Sequence, residues 1–159
     1  MGIKTFAAVA VSVVMLLTGC GSGAGKNGST SRTAAEILDI VSSEGLCPAL
    51  DTRAELGSEG FDNACPKLFG IESSELTDGG IMYTASGQTA DEIAALKGDG
   101  DMTQILTEHA KTRAASFKGY APDEQQKAEN ALVFDCGGLT VMVIADNAEQ
   151  IRDRLCKAE

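Results

Sequence analysis

Apolar positions divide the chain into three stretches. Residues 6–17 form one uncharged apolar run, residues 20–32 are mostly Gly, Ser and Thr with no large apolar side chain, and residues 33–159 carry apolar residues at helix and strand spacings. Thr33-Ala34-Ala35-Glu36 has the pattern of a capping box. Behind it, Ala34, Ile37, Leu38 and Val41 make one helical stripe that Gly45 stops. Pro48, Gly57, Gly60, Pro66 and Gly70 punctuate the next segment, which predicts loops with a short helical turn or two. Residues 81–85 and 91–97, separated around Gly87, predict the strands of a hairpin; helix is the alternative over 89–97, where Ala, Glu and Leu favour it. Met102, Ile105, Leu106, His109, Ala110 and Phe117 lie on one face of a predicted helix starting at Asp99 or Asp101 and ending at Gly119. Residues 132–136 and 139–145 flank Gly137-Gly138, the signature of a two-residue hairpin turn. A last helix, capped by Asp146 or Asn147, turns Ala148, Ile151 and Leu155 inward.

Hairpins joined by helices, without strand–helix–strand repetition, predict an α+β fold. The expected form is a two-layer sandwich, an antiparallel sheet of about four strands with helices on one face.

The apolar run is too short to span a bilayer. Twelve helical residues reach about 18 Å, against a hydrocarbon core of ~30 Å. With Lys4 ahead of it, the run reads as the hydrophobic region of a signal peptide over residues 1–19. Leu17-Thr18-Gly19-Cys20 follows and resembles the lipobox of bacterial lipoproteins. A thiol is the nucleophile needed to take a diacylglycerol as a thioether, and small residues before it let a peptidase reach the bond on its N-terminal side. Cys20 is therefore the expected lipidation site, with an ordinary secretory signal as the alternative. Residues 20–32 would tether the domain, residues 33–159, to the membrane over roughly 18 Å.

Composition narrows the partners. The chain of 159 residues carries 13 Lys+Arg against 23 Asp+Glu, a formal net charge of -10. Nucleic-acid binding needs a basic stripe, so no nucleic-acid partner is expected. The Gly-rich segment lacks the Gly-Lys-Ser/Thr ending and the preceding strand of a phosphate loop.

The second half has a family likeness. Ala90-Asp91-Glu92-Ile93-Ala94-Ala95, the amphipathic helix, the stretch Tyr120-Ala121-Pro122-Asp123-Glu124-Gln125-Gln126-Lys127-Ala128-Glu129-Asn130-Ala131, the Gly-Gly hairpin and Asp146-Asn147-Ala148-Glu149 resemble the bacterial lipoproteins of domain-of-unknown-function family 4358. The likeness covers roughly residues 66–156 and the lipobox, and is most specific over 120–131. It implies location and architecture and supplies no catalytic residue. The two Cys-Pro pairs and the Gly-Gly turn depart from the usual pattern.

Candidate chemistry is sparse. His109, the single imidazole, lies on or beside the apolar stripe and reads as a partly buried helix histidine; no Gly-x-Ser-x-Gly serine accompanies it. Asp91, Glu92, Asp99 and Asp101 surround a Gly-rich turn, but their spacing fits no twelve-residue calcium loop, and Asp101 reads as a helix cap. Glu124 and Glu129 read as a solvated helix face. Besides Cys20 there are Cys47, Cys65, Cys136 and Cys156, none in a Cys-x-x-Cys pair, so no metal or cofactor is expected.

Outside the cytoplasm the four thiols are candidates for two disulfides. On a two-residue turn Cys136 pairs with Leu139, and the strand and returning helix bring Cys156 back to that turn, which predicts Cys136–Cys156. Cys47–Cys65 follows by elimination and would close a loop worth roughly 3 kcal/mol. Reduced thiols are the alternative. Cys136 would share a core face with Leu132, Phe134, Val141 and Val143.

These observations predict a lipid-anchored protein on the extracytoplasmic face of the cell membrane. It would be a small binding or interaction module for an unknown protein or small molecule, rather than an enzyme. An accessory subunit of a membrane complex is the alternative.

Overall fold

The computed structural model describes residues 31–157. The apolar run, Cys20 and nearly all of the predicted tether therefore lie outside the described residues. Described Arg32 already joins the domain: its backbone N–H donates to Gly137 O at 3.3 Å and its guanidinium to Lys157 O at 2.9 Å.

The described residues form an α+β fold of five helices and one open antiparallel sheet. In chain order the elements are α1 (Ala34–Ser43), β1 (Thr52–Glu55), α2 (Glu59–Phe69), a 3-10 turn (Ser73–Glu75), β2 (Leu76–Tyr83), β3 (Glu92–Gly98), α3 (Met102–Ser116), α4 (Pro122–Glu129), β4 (Leu132–Cys136), β5 (Leu139–Ile144) and α5 (Ala148–Leu155). The strands lie in the order β1-β2-β3-β5-β4, every neighbouring pair antiparallel.

Local signals account for several boundaries. Thr33 accepts from Glu36 N–H while the Glu36 carboxylate accepts from Thr33 N–H, the predicted capping box. Asp101 caps α3 by accepting from Gln104 N–H at 2.9 Å. Gly137 and Gly138 both sit at positive φ, +64° and +87°, as a tight turn matched to strand twist requires, and Cys136 pairs with Leu139 as expected.

Three expectations are corrected. The sheet has five strands, because Thr52-Arg53-Ala54-Glu55, too polar to read as a strand, adds a short charged edge to β2. Residues 59–69, predicted as loops with a short helical turn or two, form the continuous helix α2 straight through Pro66. Ser58 caps it, Gly70 at φ +69° ends it, and Phe61, Cys65 and Phe69 are buried at fourfold spacing, so apolar burial outweighs the breaker residues.

The third correction concerns the single helical layer. Along β3, Ile93 and Ala95 pack in one apolar cluster with α1 and α5, while Ala94 and Leu96 pack in another with α2, α3 and α4. Both faces are therefore covered, and β3 from Glu92 to Leu96 and β5 from Val141 to Ile144 are buried. The predicted Leu132, Phe134, Cys136, Val141 and Val143 face is the α1/α5 side. Gly79 and Gly80 permit close approach of α2 and α1 to the sheet. A Cβ at Gly79 would stand 2.8 Å from the Phe61 ring, and one at Gly80 2.8 Å from Leu38 Cδ1.

Candidate functional site

Because β3 is buried on both faces, two acidic residues at its start meet different environments. Glu92, 3 % exposed, points to the α2/α3 side; Asp91, 6 % exposed and just ahead of the strand, meets Cys47 of the α1/α5 cluster and Lys127 of α4. Neither lies with Asp99 and Asp101, so the acidic grouping around the Gly-rich turn does not assemble.

On the α2/α3 side Glu92 Oε1 lies 2.5 Å from His109 Nε2. His109 Nδ1 lies 2.9 Å from Leu68 O; a carbonyl only accepts, so Nδ1 carries the proton of that bond. Phe69 packs edge-on against the ring, centroids 5.1 Å apart. One turn along α3 from His109, Arg113 Nε sits 3.6 Å from Glu92 Oε2. The guanidinium is fixed by a 2.8 Å bond from Nη2 to Thr89 O and by the Phe117 ring 5.0 Å beneath it. Burial of His109 agrees with the sequence reading, and its two polar partners were not legible there.

A cavity of about 420 Å³ opens beside this cluster, between α2 and the segment joining β2 to β3. Tyr83, Thr84, Gly87, Leu68 and Lys67 line it together with Glu92 and Arg113. The sequence held one usable signal: Glu92 precedes Ala94 and Leu96 on an inward-facing alternation, and Arg113 stands four residues after His109 on the same stripe.

Asp91 belongs to a different constellation. Its carboxylate accepts from Lys127 Nζ at 3.1 Å, and Lys127 also pairs with Glu124 at 3.2 Å and Asp146 at 3.6 Å. Glu124 in turn accepts from Ala90 N–H at 2.6 Å, so it clasps α4 to the sheet instead of forming part of a solvated face. Glu129 accepts from Gln125 at 2.7 Å. Burial disfavours the Lys127 charge, but the hydrogen bonds and charges of Asp91 and Glu124 outweigh it and raise its pKa.

All four described cysteines are thiols. Cys47 packs on the α1/α5 side and Cys65 on the α2/α3 side, with the sheet between them, so the expected Cys47–Cys65 bridge is corrected. Cys47 Sγ instead lies 3.7 Å from Asp91 Oδ1. Burial, then the Asp91 charge, pushes its pKa to about 11. Cys136 and Cys156 do meet beside the Gly-Gly turn. Cys136 Sγ donates to Leu155 O at 3.1 Å and Cys156 Sγ to Asp135 O at 3.8 Å. Burial, and then the neighbouring Cys156, push the Cys136 thiol up to about 12.

Fold and site together define a small α+β domain whose open antiparallel sheet is covered on both faces, with a mainly apolar cavity on one side that Glu92 and Arg113 border. The chain belongs to the family described as domain of unknown function DUF4358, whose profile matches residues 52–145. That span runs from the first residue of β1 to just past β5 and contains the whole cavity lining. Comparison with curated proteins and with solved structures returns no match.

Proposed function

We propose that this protein is an extracytoplasmic lipoprotein, anchored through Cys20 to the cell membrane, that acts as a small binding module with the α2/α3 cavity as its ligand site. The observation that carries the binding reading is that cavity: a concavity of small-molecule size with Glu92 and Arg113 held rigidly at its wall. Binding is favoured over catalysis because both His109 nitrogens are engaged, one by Leu68 O and one by Glu92, leaving the imidazole without a free position for a reacting group. The anchor rests on the sequence, on the apolar run followed by Leu17-Thr18-Gly19-Cys20. A disulfide between the adjacent Cys136 and Cys156 belongs to the same proposal, since export exposes thiols to oxidants.

Two measurements test it. Intact mass of the membrane fraction should show acyl chains on Cys20 and, on reduction, a gain of about two hydrogens from a Cys136–Cys156 bridge. A Cys20→Ala chain that still sediments with membranes, matured at the same bond, refutes the anchor. For the cavity, Ala64→Phe fills the space against α2 and should abolish small-molecule responses seen in a thermal-shift screen. Responses identical in wild type and Ala64→Phe would place any binding elsewhere.

A further inference from the structure

Building on the cavity as a ligand site, we infer that it selects a small amphipathic anion, a carboxylate or phosphoryl group beside an apolar body. The argument is a count of protons and charges. His109 Nδ1 bears a proton for Leu68 O, and the 2.5 Å contact between Nε2 and Glu92 requires one more proton between ring and carboxyl. Imidazolium with carboxylate, or imidazole with carboxylic acid, is neutral as a pair. The negative charge of Glu92 is thus already matched behind the cavity wall, and the Arg113 guanidinium is surplus. Its Nε, 3.6 Å from Glu92 Oε2, is buried without a hydrogen-bond partner among the described residues.

Lys67 adds a second positive charge to the lining, is exposed, and makes no ion pair among the described residues. Glu92 is the one acid among the lining residues. A positive concavity in a chain of net charge -10 is a local reversal of sign, and it attracts an anion against the overall field. Arg113 is held in place before any ligand arrives, so its fork loses little freedom on binding a planar anion. Leu68, Ala64 and Tyr83 offer the apolar part of the ligand a surface.

An isosteric charge series tests this. Benzoate, benzyl alcohol and benzylamine share a ring and differ in charge; inorganic phosphate serves as a head group without a body. Amide resonances of Lys67, Thr84 and Gly87 in the full-length chain should shift saturably with benzoate. Benzoate should bind about ten-fold tighter than benzyl alcohol, equivalent to ~1.4 kcal/mol. Benzylamine should leave the resonances unmoved. Lys67→Gln, an exposed change, should weaken benzoate by roughly two- to five-fold. Phosphate matching benzoate would support a phosphoryl head, and benzoate alone a carboxylate. Benzylamine or benzyl alcohol binding as tightly as benzoate at these residues overturns the charge selection and keeps the cavity as a binding site. No shift from any probe overturns the anion and the cavity reading together.

Discussion

Asp91 and Glu92 are consecutive acids at the start of one strand, both nearly inaccessible, yet they serve opposite ends. Just ahead of β3 Asp91 meets a single cation, Lys127, that is surrounded by three carboxylates and joins α4 to the start of that strand. There negative charge exceeds positive, and the contacts hold α4, whose own Glu124 is one partner, to the residues before β3 and to Asp146 after β5. At the next residue Glu92 is matched by His109 and still faces Arg113, so positive charge exceeds negative, and the excess borders empty volume. A buried ion cluster says little about function by itself. The sign left over separates a clasp from a site: the cavity of about 320 Å³ beside Lys127 and Asp146 is bordered by excess negative charge, the α2/α3 cavity by excess positive.

The largest effect should come from breaking the clasp. Lys127→Met leaves Asp91 buried without its cation, and losing one partner of a buried pair costs about 3–5 kcal/mol. The urea midpoint should fall accordingly while the benzoate response at Lys67, Thr84 and Gly87 stays as in wild type. A loss under ~1 kcal/mol, the range of exposed pairs, would show that solvent reaches the cluster and remove the contrast.

Glu92→Gln probes the other side. It replaces a charged acceptor with a neutral one against His109 and Arg113, and hydrogen bonds to charged groups contribute about 1.5–3 kcal/mol. Stability should drop by that order, less than for Lys127→Met. By the proton count the His109–Glu92 pair is already neutral, so the substitution leaves the charge at Arg113 unchanged and benzoate should bind as in wild type. If both stability and benzoate affinity fall, Glu92 is needed to position Arg113, and the surplus-charge account fails.

That contrast was not visible along the chain, for reasons the structure makes plain. Regular elements with sharp local signals were legible: the Thr33–Glu36 capping box, the Met102 to Phe117 stripe and the Gly137-Gly138 turn each depend on neighbours a few residues apart. β1 was not, since Thr52-Arg53-Ala54-Glu55 is held by pairing with β2 and by Arg53 reaching Asp39 at 2.6 Å, both long-range. α2 was hidden by Gly60 and Pro66, which local propensity penalises and burial of Phe61 and Phe69 overrides. The second helical layer followed from α2. The site failed to appear because its members, Glu92, His109 and Arg113, belong to a strand and a helix that only tertiary packing brings together, and because one charged residue beginning an apolar run looks the same whether it ends in solvent or against an imidazole.

The smallest expected effect lies in alkaline solution and concerns the Asp91 cluster. Cys47, in the Asp91 cluster, is held protonated to about 11 from an ordinary value of 9.0, first by burial and then by the Asp91 charge. Between those values the unfolded chain ionises its thiol and the folded one does not, so the folded state binds more protons and loses stability as pH rises from 9 to 11. Lys127, with its pKa raised by Asp91 and Glu124 against the opposing effect of burial, acts in the same direction as the pH passes its unfolded value of 10.5. Urea midpoints at pH 8 and pH 10 should therefore differ, and Cys47→Ala should reduce that difference by on the order of 1 kcal/mol. An unchanged slope in Cys47→Ala would mean that the thiol ionises alike in both states, and that Asp91 acts on Lys127 alone.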